Sequence, residues 1–240
     1  MHKPNGFFVT GTDTEVGKTL VSGALILKLR EEGIKTLGFK PVVAGTYQDI
    51  NGAIFNEDLE TLRIASNLGI DELPPCPYVL DRPAAPHLVA IEQGLRLEMS
   101  VINQALMNIQ QQADCVVVEG AGGLLVPLND KEDLGDFAKE IHLPIILVVG
   151  MKLGCINHAL LTYEAIKARH LNIAGWVANT LSTEMPLLQE NIETLQDRIA
   201  APFLGLIPTL PKNLQKSDNN PYSIEALNFA AQHIQLPQNS

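Results

Sequence analysis

The sequence predicts an α/β fold: one domain with a mostly parallel sheet flanked by helices. Two observations carry that expectation. Six near-continuously apolar runs recur along the chain, as strands buried on both faces require. Segments with helical periodicity lie between them, the alternation expected of strands joined by helical crossovers.

A first strand is expected over Gly6–Thr10 and a helix over Lys18–Glu32, ended by Gly33. Thr36–Lys40 reads as the next strand, with Pro41 fixing the entry to a loop. A helix follows over Asp58–Leu68, punctuated by Gly69. Helices at Ser100–Gln112 and Leu134–Ile141 bracket a strand at Cys115–Glu119. The strand at Ile145–Gly150 leads to a helix at Asn157–Arg169, then the strand Ile173–Asn179. A helix at Pro186–Ile199 precedes the last strand, Phe203–Ile207. After the polar stretch Pro211–Pro221, a short helix is expected at Ile224–Ile234, packing on the rest.

Two stretches, Val42–Asn56 and Pro74–Gly94, read as irregular, and the second holds Pro74, Pro75, Pro77, Pro83 and Pro86. Loops of that length in a compact domain are often functional. No repeat, low-complexity tract or linker divides the 240 residues, so one domain over 1–240 is expected.

Composition narrows the function. Apolar residues make up 46% and charged residues 18%, enough apolar content for a large core and too much for a disordered chain. The net charge of -10 argues against a general nucleic-acid binder. It leaves room for a small anionic ligand, because charges beyond a Debye length of ~8 Å are largely screened. The longest apolar stretch, around Ile145–Gly150, is far shorter than the ~20 residues of a membrane span. No apolar run of signal-peptide length follows the basic residue near the start. Three cysteines, Cys76, Cys115 and Cys155, are few and odd in number, which points to a reducing, cytoplasmic setting without disulfides or a zinc site.

The strongest motif is Thr10-Gly11-Thr12-Asp13-Thr14-Glu15-Val16-Gly17-Lys18-Thr19, between the first strand and the first helix. A phosphate-cradling loop belongs in that context. Backbone N–H groups and the helix dipole favour an anion there. Lys18 can reach terminal phosphates, and the Thr19 hydroxyl can hold Mg²⁺. The spacing departs from the usual form: counting back from Lys18, the first glycine position falls on Thr12, and Gly11 lies one residue early. The partition and septum-positioning ATPases carry a second lysine five residues before the invariant one. Here that residue is Asp13, and a carboxylate cannot replace a cation facing a partner's phosphates.

These residues resemble dethiobiotin synthetase, and the resemblance runs through nearly the whole chain. It rests on the loop Val9–Thr19, then Gly38-Phe39-Lys40-Pro41-Val42 and Val118-Glu119-Gly120-Ala121-Gly122-Gly123. Lys152-Leu153-Gly154-Cys155-Ile156-Asn157-His158, Ala174-Gly175-Trp176-Val177-Ala178-Asn179 and Leu204-Gly205-Leu206-Ile207-Pro208 complete it. The phosphate loop alone would be shared by many NTPases; the joint order of six segments is far more specific.

The resemblance implies a P-loop NTPase fold and a homodimeric ATP-dependent cyclo-ligase using Mg²⁺. Its substrates would be 7,8-diaminononanoate and CO₂, and its products dethiobiotin, ADP and phosphate. Lys18 and Lys40 would be the catalytic cations. Glu15, Val16, Gly17, Lys18, Thr19 and Leu20 would bind the nucleotide, together with Asp58, Glu119, Gly120, Ala121 and Gly122. Asn179 and Thr180 would face Pro208, Thr209 and Leu210 across the base. Thr19, Asp58 and Glu119 would hold the metal. Thr14, Lys40, Ala44, Gly122 and Lys152 would contact substrate, and Gly154, Cys155, Ile156 and Asn157 would receive its distal carboxylate across the dimer. Independently of the resemblance, Glu119 ends an apolar strand, so its carboxylate emerges at the sheet edge where ligands gather.

The chain departs from the family at Ala44, Ala84 and Ala85, where relatives carry hydroxyl residues, and at Asn191, where some carry tyrosine. Thr46 is a candidate substitute for the lost hydroxyl at Ala44. Two other readings share the phosphate site. One is an amidoligase that activates a carboxylate and needs an ammonia source, for which the chain has no spare domain. The other is a nucleotide-dependent switch, whose best-known subclass Asp13 opposes.

Overall fold

The computed structural model describes residues 6–48, 54–69, 72, 76–181, 185–217 and 219–237. Pro74 and Pro75, and residues 49–53 of the first irregular stretch, lie outside them.

Six parallel strands form the main sheet: β1 (Gly6–Gly11), β2 (Thr36–Phe39), β7 (Cys115–Gly123), β8 (Ile145–Met151), β9 (Ile173–Thr180) and β10 (Phe203–Ile207). They run in the order β10-β9-β8-β1-β7-β2. Every strand expected from the sequence is present, and β1, β7, β8 and β9 run past their expected ends. The largest extension is in β7, where Gly123 pairs with Gly11 after a register shift. Apolar runs mark only the buried part of a strand; its polar, glycine-rich end pairs through backbone alone.

Alternate residues of each strand feed two different cores. Phe8, Val116, Val118, Ile145, Leu147 and Trp176 join one cluster. That cluster takes in α4 (Met99–Gln110), α5 (Leu134–Ile141), α6 (Cys155–Ala168) and α7 (Leu188–Arg198). Phe7, Val9, Val117, Ile146, Val148 and Val177 join the other. It takes in α1 (Lys18–Glu31), α2 (Glu57–Ser66) and α8 (Ile224–Gln232). Both faces are covered by helices, which is why the strands read as unbroken apolar runs rather than as alternation. Helix α1 packs against both α2 and α8, so it is buried nearly all round and shows no polar face.

The irregular stretches hold short elements. β3 (Val42–Ala44) pairs in parallel with β6 (Tyr78–Leu80), and β4 (Tyr47–Gln48) pairs antiparallel with β5 (Ile54–Phe55). A helix, α3 (Pro86–Glu92), starts on Pro86 itself. Proline suits a first helical turn, where its missing N–H has no partner to lose. Strands of two or three residues are too short to show periodicity.

The C-terminal piece packs against the second core. Leu227, Ala230, Ala231 and Ile234 enter the core, and Gln235 N–H donates to the Leu204 carbonyl at 2.7 Å. Among the described residues no helix is long and apolar enough to cross a membrane, and the three cysteines form no disulfide.

Candidate active site

All six main strands point their C-terminal ends to one edge, where the loops after β1, β2, β7 and β8 converge. The loop after β1 ends on Gly17, the N-cap of α1, with φ of 91°. A Cβ there would lie 2.1 Å from Asn179 Nδ2, which donates to the Val16 carbonyl at 2.9 Å. The glycine thus allows both a left-handed turn and a brace from the end of β9. Gly17→Ala is expected to displace that brace and open the loop. Calorimetry should show at least a tenfold loss of ATP affinity, since both the turn strain of ~1–2 kcal/mol and the clash act on the loop.

Among the described residues no side chain caps α1, which leaves its first N–H groups without a side-chain partner. Lys18 is buried, and its ammonium donates to the Asp13 carbonyl at 3.0 Å. Burial and then the neighbouring Lys40 charge bring its pKa down to about 8, against the pull of Glu119, Asp58 and Asp13. The Asp13 carboxylate accepts from Thr14 N–H and pairs with Lys152 at 3.0 Å. Its pKa is lowered, chiefly by the Lys152 hydrogen bond.

The acids are brought in by register and by a helix cap. Phe39, where β2 ends one residue short of the expected strand, pairs with Val118, so Lys40 just past it stands beside Glu119 of β7. Asn56 caps α2 by accepting from Asp58 N–H and Leu59 N–H at 3.0 and 3.1 Å, while its amide donates to the Gly45 carbonyl. That cap turns Asp58 inward. Lys40 donates to Glu119 Oε1 at 2.5 Å and to Asp58 Oδ2 at 2.9 Å. The Thr19 hydroxyl lies 2.7 Å from both Asp58 Oδ1 and Glu119 Oε1.

Two carboxylates around one buried lysine split their pKa values. Burial would lower the Lys40 pKa, but the charges of Asp58 and Glu119 outweigh it and hold it above the ordinary lysine range. Asp58 is drawn down to about 2 despite burial, by Lys40 and the Thr19 hydrogen bond. Glu119, wholly enclosed, is pushed up by burial and by Asp58. Its Oε2 is buried and has no partner among the described residues.

These groups share a cavity of about 920 Å³. Lys18, Lys40, Asp58 and Glu119 all line it, with Thr14, Glu15, Gly17, Thr19, Ala44, Ala121 and Gly122. Val16 and Leu20 point instead into the core, leaving only their backbone to the loop. Gly120, Asn179, Thr180, Pro208, Thr209 and Leu210 are not among the lining residues, nor are Lys152 and Gly154–Asn157. Thr180 Oγ1 and Thr209 Oγ1 are nonetheless buried without a partner among the described residues. Ala84 and Ala85 form an apolar wall beside Pro83 and Pro86. Thr46 is not in the lining, whereas Tyr47 is. Asn191 donates to the Leu187 carbonyl and lies 3.9 Å from Cys155 Sγ, at the start of α6.

The lining residues that escaped the sequence reading include three with titratable side chains close to the acids, Glu57, Lys216 and Tyr222. The last two lie between β10 and α8, and no spacing rule ties that segment to the site. Burial pushes the Tyr222 phenol up to about 12, aided by the charges of Asp58 and Glu119.

Comparison with known proteins follows this geometry. A family model described as an AAA domain matches residues 5–217. An ATP-dependent dethiobiotin synthetase of Aromatoleum aromaticum is 50% identical over 210 residues, 87% of this chain and 92% of that protein. The chain belongs to the dethiobiotin synthetase family. A second dethiobiotin synthetase, of Ralstonia nicotianae, is 49% identical over 205 residues, covering 85% and 89% of the two chains. Among solved structures, the septum site-determining protein MinD of Pyrococcus horikoshii, complexed with Mg-ADP, aligns with a TM-score of 0.57 at 16% identity over 95% and 94% of the chains. A ParA family ATPase of Chlorobium tepidum aligns at 0.55 and 14% identity over 88% and 87%. At such identity the likeness is one of fold, the P-loop NTPase sheet. Membership of the dethiobiotin synthetase family makes the chain an ATP-dependent ligase.

Proposed function

We propose that this protein closes the ureido ring of dethiobiotin from 7,8-diaminononanoate, CO₂ and ATP, releasing ADP and phosphate. The convergence of Lys18, Lys40, Asp58 and Glu119 on one cavity carries this reading. An amine of the substrate adds to CO₂ and loses a proton, giving a carbamate. A carbamate oxygen attacks the γ-phosphorus, and ADP leaves. The second amine attacks the carbonyl of the resulting carbamic–phosphoric anhydride, loses a proton and expels phosphate.

Two anions must meet in line for the second step, and cations must lie between them. At ~4 Å and an effective dielectric of ~20 a unit-charge pair is worth ~4 kcal/mol before desolvation. Lys18 serves the phosphates from the end of α1. Lys40 serves the carbamate and the transferring phosphoryl group from the end of β2. The buried walls keep water from the anhydride.

Mg²⁺ fits the donor set, a hydroxyl and two carboxylates, because it prefers hard oxygens and keeps several waters. Thr19, Asp58 and Glu119 would hold it, and the partnerless Glu119 Oε2 offers a ready acceptor. When bound, the ion neutralises phosphate charge. With their carboxylates so engaged, Asp58 and Glu119 leave Lys40 free to face substrate.

The buried, partnerless hydroxyls of Thr180 and Thr209 support a base pocket there, with Asn179 and the Pro208–Leu210 wall. Substrate carboxylate would meet the turn Gly154–Asn157 at the start of α6 in a homodimer, where Cys155 N–H already donates to the Lys152 carbonyl at 2.9 Å. Leu153, fully exposed beside it, and the exposed Leu161 and Leu187 on α6 and before α7 support such a contact face. Lys152 remains tied to Asp13 and orients the same turn. The setting is cytoplasmic, with no nucleic-acid or membrane partner.

ADP release should require diaminononanoate and bicarbonate together. Either alone should leave turnover at background in a coupled assay. Steady hydrolysis without substrate would instead indicate a nucleotide switch.

A further inference from the structure

The segment between β10 and α8 places Lys216 and Tyr222 in the cavity wall. Tyr222 is anchored: its N–H donates to the Thr61 hydroxyl on α2 at 3.0 Å. The Lys216 ammonium lies 5.3 Å from the centre of the Tyr222 ring, an attractive cation–π distance. Among the described residues its nearest carboxylate is Glu57, at 3.8 Å, beyond hydrogen-bond reach. The other two cations in the lining are engaged, Lys40 by two carboxylates and Lys18 by the Asp13 carbonyl. Among the described residues Lys216 is therefore the lining cation least held by its neighbours, and its side chain is 30% exposed.

We propose that Lys216 is a third cation for the nucleotide's polyphosphate, held ready on the Tyr222 ring and drawn from Glu57 when nucleotide enters. This rests on the nucleotide-binding reading above. Position selects the ligand. Glu57 is next to Asp58, whose carboxylate touches the Thr19 hydroxyl at the end of the phosphate loop. Lys216 thus stands beside the acids that flank the phosphate loop. Energetics agree. A long, part-exposed ion pair holds weakly, whereas a charge-assisted hydrogen bond to phosphate is among the stronger polar contacts. Acids also crowd this side, with Glu57, Asp58 and Glu119 all in the lining, so an incoming polyphosphate needs a further positive charge there.

The test is calorimetric titration of the full chain with ATP and with AMP, at low and high salt. Lys216→Gln should weaken ATP binding by about tenfold, the size of one charge-assisted hydrogen bond. AMP affinity should change far less, the salt dependence for ATP should flatten, and Lys216→Arg should retain most of the affinity. Unchanged ATP affinity in Lys216→Gln would overturn the proposal, and so would an equal loss for AMP, which would make the segment a structural strap. Failure of the wild-type chain to bind ATP would overturn the phosphate-loop reading itself, a result visible before any variant is made.

Discussion

Lys18→Ala is expected to lose ATP turnover by about a hundred- to a thousandfold, the range for removing one preorganised charge at a reacting centre. The lysine is buried at the first turn of α1, with its ammonium directed back over the loop to the Asp13 carbonyl. Incoming phosphates replace that carbonyl with a stronger acceptor. Alanine leaves the turn and its N–H groups in place, since Gly17 and the Asn179 brace set the loop's shape. Nucleotide affinity should fall as well, while the melting temperature of the free protein should hold or rise, because a desolvated cation is gone. Coupled ADP release and thermal melting measure the two effects. Near-normal turnover would contradict the phosphate-loop assignment.

The second large effect is of another kind. Lys40→Ala should retain ATP binding and lose ring closure by about a hundred- to a thousandfold. Lys40 reaches neither the α1 N-terminus nor the loop carbonyls in the hydrogen bonds it makes; it bridges Glu119 and Asp58. Removing it leaves two carboxylates facing each other, and breaking a buried pair of this sort costs ~3–5 kcal/mol. Glu119 can relieve part of that by taking a proton, since burial and Asp58 already push it that way. The variant should therefore fold with a lowered melting temperature that recovers at acid pH. Equal loss of nucleotide affinity by calorimetry would move Lys40 out of its carbamate role.

Much of this site was legible before any coordinates. Gly17-Lys18-Thr19 sits between an apolar run and a helix, and local chemistry alone makes that a candidate anion site. Glu119 was legible for a similar reason, as a carboxylate closing an apolar strand. Asp58 was not separable from an ordinary helix-start acid by pattern; the resemblance singled it out, and the Asn56 cap with its tie to Gly45 explains its inward turn. The folded parts of the two irregular stretches were hidden, because their strands are too short to show a period and proline reads as a breaker.

The order of elements, the parallel sheet and the phosphate loop are thus properties of the chain read along its length. They rest on interactions between near neighbours and on whether each run is apolar on one face or two. The partners of Lys40, the inward turn of Asp58 and the presence of Lys216 and Tyr222 in the cavity belong to the folded molecule. Each joins residues far apart in sequence through strand register, a helix cap or packing against α2, and no local pattern encodes such distances.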